Sequence, residues 1–213
     1  MFNIVKSNID LVNGKSLLVE SCYLARQAKG SVLATYGKTT ILTTVCFTDE
    51  DSVDVDFFPM SVNYIEKHYA VGKIPGGFLK KETKPSDREI LISRLIDRSL
   101  RPMFKDNFFR TVSIVCNLLS YDSQHEPEIP AIISAAIAVK ISGLPIKSII
   151  AATKVGIVDD KIVINPTKEE LSNSSADIIV SGTMDSVVMV ESNANIVDEA
   201  KMLDAIWEGQ KKC

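Results

Sequence analysis

Between Lys67 and Lys105 the chain places ten lysines and arginines (67, 73, 80, 81, 84, 88, 94, 98, 101 and 105) against four acids (82, 87, 89 and 97), a local balance of +6. Within that stretch Phe78 stands just ahead of Lys80 and Lys81, and Lys84 follows. Ammonium and guanidinium groups clustered in this way attract a polyanion. Arg94, Arg98 and Arg101 fall within about 60° of one another at 100° per helical residue, on one face. The same residue types also suit a solvated surface, and the arginines a salt-bridged helix face, because Asp97 is spaced to pair with Arg101 or Arg94. From Ala151 onward eleven acids oppose six lysines, and the whole chain carries −3. A polyanion is therefore expected to meet the middle of the chain.

Other chemistries find less support. Cys22, Cys46, Cys116 and Cys213 lie far apart with no C-x-x-C pair, so buried thiols are expected rather than a zinc site. His68 and His125 have no partner motif and read as structural or surface groups, and Asp159-Asp160 reads as a hairpin turn rather than a metal site. The start of the chain lacks a basic, unbroken apolar leader. The longest apolar run, residues 131 to 139, is far shorter than the roughly 20 residues that span a bilayer. A cytoplasmic protein without a membrane anchor is expected.

The elements that must carry the basic stretch can be read from periodicity. Up to about residue 70, KSLLVESCYLA, SVLATYGKTTILTTVCFT and MSVNYIEKHYA read as strands of a meander, turning at Tyr36-Gly37-Lys38. Residues 70 to 85 hold three glycines, two prolines and four lysines, the composition of a long flexible loop. Ser86 and Glu89 have the spacing of a capping box, and Ile90, Leu91, Leu95, Ile96 and Leu100 form an apolar stripe up to Pro102. A strand RTVSIVCNLLS, a polar loop YDSQHEPE and an alanine-rich helix over 128 to 142 come next. After Gly143 and Pro145 follow the hairpin VGIVDDKIVIN, a short helical TKEEL, and the strands DIIVSGT and SVVMVES. A last helix from near Ile196 is expected to bury Met202, Leu203, Ile206 and Trp207. Strands clustered with helices, without regular βα alternation, indicate an α+β fold. Two subdomains, 1–145 and 146–213, are expected to share one core, with the boundary between Leu144 and Ser148.

The run GKIPGGFLKKETKPSDREILISRLIDRSLRPMF, residues 72 to 104, resembles the first RNase PH-like core of bacterial polynucleotide phosphorylases. DFFPMSVNY, SGLP and NPT…DIIVSGT…VVMVES follow in the family's order, so the resemblance covers essentially the whole chain. It implies an RNase PH-like fold of mixed sheets and helices in layers. It also implies a phosphorolytic 3′-to-5′ exoribonuclease of mRNA degradation, in which inorganic phosphate attacks the terminal phosphodiester and releases a nucleoside diphosphate. A homotrimeric ring around a channel for single-stranded RNA is implied as well.

Phosphate and magnesium are held, in that family, by a second core. Aligned through the alanine-rich helix, the serine triplet of the active core falls here on Glu126-Pro127-Glu128; carboxylates repel phosphate, and proline has no amide proton. Aligned through DIIVSGT, one metal-binding aspartate survives as Asp177, the other falls on Leu171, and a lysine falls on Ile179. A lone carboxylate is a poor magnesium site. The chain is thus expected to carry no catalytic residue and no metal of its own, with magnesium, phosphate and nucleoside diphosphates belonging to the complete enzyme. RNA contact is expected from Phe78, Lys80, Lys81, Lys84, Arg94, Arg98 and Arg101. The family's second aromatic and its arginines are replaced by Leu79, Lys80 and Lys81, which keeps the charge and loses the bidentate fork. A self-sufficient phosphorolytic nuclease and a non-enzymatic RNA-binding assembly subunit are the alternatives.

Overall fold

Period-two alternation governs the first half of the chain. On β4 (Thr39–Phe47) and β6 (Val112–Ser120) every second side chain from Thr39 to Val45 and from Val112 to Leu118 is buried, so these strands lie at the centre of a sheet with one face on a core. The computed structural model describes residues 4–11, 15–51, 55–78, 80–82 and 84–213. With β1 (Val5–Asp10), β2 (Ser16–Ser21), β3 (Gly30–Tyr36) and β5 (Met60–Glu66), these strands build a six-stranded sheet in the order β1-β2-β3-β4-β6-β5. The meander β1 to β4 is antiparallel, and β3 and β4 turn on Gly37 and Lys38 between the paired Tyr36 and Thr39. The strand expected over KSLLVESCYLA ends at Ser21, because Cys22 and Ala25 take left-handed backbone conformations, φ 61° and 50°.

β5 runs parallel to β6, so the chain needs a crossover, which α1 (Asp87–Leu100) supplies. Its start is the expected capping box: the Ser86 hydroxyl accepts from the Glu89 amide and the Glu89 carboxylate from the Ser86 amide. The buried stripe is Ile92, Leu95, Ile96, Ser99 and Leu100; Ile90 and Leu91, expected in it, are exposed. The register is set by polar groups that seal the sheet edge. The Tyr64 amide donates to Ser93 Oγ at 2.9 Å and the Glu66 amide to Glu89 Oε1 at 2.8 Å, so the outer side of β5 is satisfied by the helix rather than left open for pairing.

The second sheet holds β7 (Ala151–Val158), β8 (Lys161–Ile164), β9 (Ala176–Gly182) and β10 (Val187–Ala194), in the order β10-β9-β7-β8. Asp159 and Asp160, with φ 46° and 64°, make the two-residue turn between the paired Val158 and Lys161. Between the sheets lies α2 (Glu128–Ile141), apolar on all sides, packing against β3 and β4 on one side and β7 on the other. Its alanines let the layers approach, while Ile132 and Ile133 fill the gap, each buried side chain stabilising by roughly 1.5 to 3 kcal/mol. One cluster of buried side chains runs through both halves: Ile150, Ala152, Ile179 and Met189 join the residues of the first sheet. The buried hydroxyls of Ser99 and Ser181 meet at 2.9 Å between α1 and β9.

α3 (Lys168–Ser172) is capped by Thr167 and Glu170, and α4 (Glu199–Gln210) covers the far face of the second sheet through Ala205, Met202 and Ile206. Trp207 and Leu203 do not enter the core as expected. They are 51% and 54% exposed, because the small residues Ala205 and Gly209 face the sheet, the latter against Val155 and Val180. The thiols also differ from expectation: Cys116 is buried, which pushes its thiol up to about 12, but Cys46 is exposed. No helix among the described residues is long and apolar enough to cross a membrane.

Candidate nucleic-acid interface

The loop expected over residues 70 to 85 departs from a 3-10 turn, His68–Val71, ended by Gly72 in the left-handed region. Ala70 in that turn is buried, and its carbonyl accepts from the Tyr121 amide at 3.0 Å, which fixes the departing limb to the sheet. Beyond Gly72 the chain leaves the core. Phe78 is 99% exposed, and Lys80, Lys81 and Lys84 are exposed on the limb that returns to α1, none in an ion pair among the described residues. Gly77 and Lys80 both take left-handed conformations, φ 79° and 52°. Leu79 lies outside the described residues. Lys67 is not available in the same way: its ammonium lies 2.7 Å from Glu82 Oε2. His68, which the sequence left without a partner, stands 3.6 Å from the other Glu82 oxygen.

The three arginines of α1 are placed differently from one another. Arg94 is exposed and lines an open groove beside β5 with Asn63, Ile90, Asp97 and Arg98. Arg98 meets Glu191 of β10 at 2.5 Å, a half-exposed pair that reaches across to the second sheet. Arg101 is engaged on every nitrogen: Nε and Nη2 donate to the Asp97 carboxylate at 2.9 and 2.7 Å, Nη1 to the Phe58 carbonyl and Nη2 to the Met60 carbonyl. It thereby fastens α1 to the start of β5.

Behind the loop, where Glu126, Pro127 and Glu128 stand in the alignment drawn above, charged side chains form a continuous chain. Arg88 meets Glu66 at 3.1 Å, Glu126 at 2.6 Å and Glu128 at 3.6 Å. Lys154 then meets Glu128 at 2.9 Å and Asp177 at 3.2 Å. Tyr121 and Tyr64 donate their hydroxyls to Glu126 and Glu66. Burial works against the Lys154 charge, but Glu128 and Asp177 outweigh it and raise its pKa. Burial likewise opposes the Glu126 carboxylate, and the hydrogen bond from Arg88 holds it below the usual range. Arg88, Glu66 and Lys154 were not singled out in the sequence; Glu66 and Glu126, to which Arg88 donates, lie 22 and 38 residues away from it, at no local spacing.

Four carboxylates face two cations in this chain, a net of −2 that repels anions. The helix end beside it gives no compensation, because Pro127 caps α2 and Pro130 sits in its first turn, so two amide donors are missing. The arrangement does not fit magnesium either. Asp177 Oδ2 is taken by Lys154, while its Oδ1 is buried without a hydrogen-bond partner. Leu171 is apolar, and Ile179 is buried in the shared core. No group of three acidic, cysteine or histidine side chains suited to a metal occurs among the described residues.

A second cluster of hydrogen bonds holds the polar loop in front of α2. Asp122 accepts from the amides of Lys38, Gln124 and His125, from the Thr39 hydroxyl, and meets His125 Nδ1 at 2.6 Å. The His125 ring packs edge-on against Tyr36. His125 is therefore a structural group, with a partner that the sequence reading missed three residues away.

Residues 14–145 match the 3′ exoribonuclease family, domain 1, and residues 148–212 match domain 2 of the same family. Across the whole chain the sequence is 50% identical over 215 aligned residues to the polyribonucleotide nucleotidyltransferase of Ehrlichia ruminantium (strain Welgevonden). It is 46% identical over 211 residues, 99% of the chain, to that of Pelagibacter ubique (strain HTCC1062). The chain spans 27% and 30% of the length of those two relatives. Among solved structures, the Archaeoglobus fulgidus exosome with RNA bound to the active site superposes with a TM-score of 0.69 at 16% identity, over 98% of this chain and 84% of that one. Rice Rrp46 superposes with a TM-score of 0.68 at 13% identity, over 97% of this chain and 87% of that one. At those identities the likeness is one of fold, and it agrees with the α+β layers described above.

Proposed function

Because the chain belongs to the 3′ exoribonuclease family and carries both of its RNase PH domains, we propose that it is the RNA-guiding, catalytically silent core of a phosphorolytic 3′-to-5′ exoribonuclease, a polyribonucleotide nucleotidyltransferase of mRNA degradation. The observation that carries this reading is the exposed loop. Phe78, Lys80, Lys81 and Lys84 are all exposed along one loop, the lysines in no ion pair among the described residues, within a stretch that is locally basic in an acidic chain. A base stacks on the Phe78 ring while the three ammonium groups meet successive phosphates, a mode indifferent to base identity. Arg94 extends the same positive surface along α1, and Arg98 joins it when Glu191 yields to a phosphate. Arg101 supports the surface by holding α1 on β5.

Silence follows from the ion-pair chain. Phosphorolysis needs a place for free phosphate and a metal to neutralise charge on the scissile group, and Glu66, Arg88, Glu126, Glu128 and Lys154 pair with one another instead, Asp177 joining them through Oδ2 alone. Magnesium, phosphate and nucleoside diphosphates therefore belong to the remainder of a longer enzyme, of which this chain matches just over a quarter. We place that enzyme in the cytoplasm as a homotrimeric ring with the loops lining its channel, by analogy with the family.

Three measurements test the reading. Lys80→Ala with Lys81→Ala is expected to weaken binding of a single-stranded oligoadenylate and to flatten its salt dependence by about 1.4 in the log–log slope, two contacts at about 0.7 each. Unchanged binding would remove the loop from the account. Incubated alone with RNA, phosphate and magnesium, the chain is expected to release no nucleoside diphosphate; release would favour the self-sufficient nuclease. RNA retained by the loop but never degraded on adding the rest of the enzyme would favour the non-enzymatic assembly subunit.

A further inference from the structure

We infer that Glu82 is a positioning residue for RNA binding, holding the basic loop in its displayed geometry by tying the returning limb to the departing one. The inference rests on the reading of the loop given above. Glu82 is the one acid between Gly72 and Lys84, among four lysines, and a carboxylate on a polyanion-binding surface works against binding if charge alone matters. Its geometry gives it another role. Oε2 accepts from Lys67 Nζ at 2.7 Å and Oε1 from the His68 amide at 3.0 Å, so one carboxylate bridges residue 82 to the first two residues of the loop base.

That base is packed on the sheet and bonded to it. It begins at the end of β5, and its Ala70 is buried and bonded to Tyr121. On the other side of Glu82 the chain enters the capped start of α1 at Ser86. Between these two fixed points the clamp closes the excursion that carries Phe78, Lys80 and Lys81. Lys81 and Lys84 come to line the same cleft, about 700 Å³, as Lys67 and His68. A loop closed in this way loses less freedom when RNA arrives than an open one, so the clamp raises affinity by removing an ordering cost. The pair itself is about one-third exposed on both sides, and such a pair adds little to fold stability. Binding and stability are therefore separable.

The test compares Glu82→Ala with Glu82→Gln, which remove the same charge and differ in one acceptor. The glutamine oxygen can still accept from the His68 amide and so keep residue 82 tied to the loop base, while its NH2 group replaces the oxygen that accepted from Lys67. The expected result is that Glu82→Ala binds fluorescently labelled single-stranded oligoadenylate about fivefold more weakly than the parent, although it has lost a negative charge. Glu82→Gln is expected to stay within about twofold of the parent, and both are expected to keep the parent's thermal midpoint. If both variants tighten binding alike, the carboxylate acts through its field and the positioning role is wrong. Lys80→Ala with Lys81→Ala is run beside them. Unchanged binding in that double variant overturns the loop reading itself, whereas weakened binding there together with tightened or equal binding in the two Glu82 variants overturns only the present inference.

Discussion

The ammonium of Lys154 lies 2.9 Å from Oε2 of Glu128, which joins β7 of the second sheet to the first turn of α2 beneath the first. The Lys154 side chain is 7% exposed. Enclosed on the apolar side by α2 and fixed by the turn of charge that continues to Arg88, the pair is a mechanical joint between the halves of the fold.

Lys154→Met is therefore expected to destabilise the chain by about 2 to 3 kcal/mol, below the usual loss for a broken buried pair because Asp177 can turn toward water. Adding Glu128→Gln to Lys154→Met is expected to recover about half of the loss, since the stranded charge is then gone. Urea midpoints for the two single variants and the double variant measure both effects.

Acid sensitivity should centre on Asp122. Burial opposes its charge, but hydrogen bonds from the His125, Lys38 and Gln124 amides and from the His125 ring hold its carboxyl well below the usual range. A carboxyl depressed in the folded state contributes stability that is fully present above its unfolded value, about 4, and is lost as pH falls through the folded one. Asp122→Asn is expected to cost about 2 kcal/mol near pH ~7. The gap between parent and variant is expected to narrow as urea unfolding is repeated at pH values below ~4. A gap that stays constant across that range would mean that the carboxylate charge is not what holds the Tyr36 turn.

The sequence made most of the elements visible because their signals are local. Ser86 and Glu89, the alternation on β4 and β6, and the paired aspartates at 159 and 160 each act within a few residues. The existence of the loop was visible for the same reason, since glycine and proline exclude regular elements locally, but its ties to Tyr121 and between Glu82, Lys67 and His68 were not. What local pattern could not supply was the pairing of charges. Arg88 reads as one more cation in a basic stretch, and only the crossover of α1 brings it to Glu66, Glu126 and Glu128. For Arg101 the sequence left a salt-bridged helix face and an RNA contact both open and offered Asp97 as a partner, but the two carbonyls of Phe58 and Met60 lie at no local spacing. Trp207 misled in the opposite direction: its spacing is that of a core residue, but Gly209 sets how closely α4 approaches the sheet and leaves the indole outside.

Gly30 sets the distance between β3 and α2. A Cβ there would stand 2.3 Å from the Ala138 carbonyl oxygen and 2.9 Å from Ser142 Cβ, and backbone cannot yield as a side-chain tip can. Gly30→Ala is expected to cost about 3 kcal/mol. Gly76→Ala, where a Cβ meets nothing within 4 Å, is expected to change stability by less than about 0.5 kcal/mol. Thermal midpoints of the two variants make the comparison within one protein.

Phe78 allows stacking and folding to be separated, because its ring is exposed and supports nothing in the core. Phe78→Ala is expected to leave the thermal midpoint unchanged and to weaken oligoadenylate binding by about 1 to 3 kcal/mol, the range for one base on one ring. Phe78→Trp, with a larger π-face, is expected to bind at least as tightly as the parent. Since stacking involves no counterion, the salt slope should stay the same in both variants, unlike that of Lys80→Ala with Lys81→Ala. A parallel loss of slope in Phe78→Ala would mean that the ring acts by holding the lysines rather than by meeting a base. Fluorescence anisotropy across a salt series distinguishes the two.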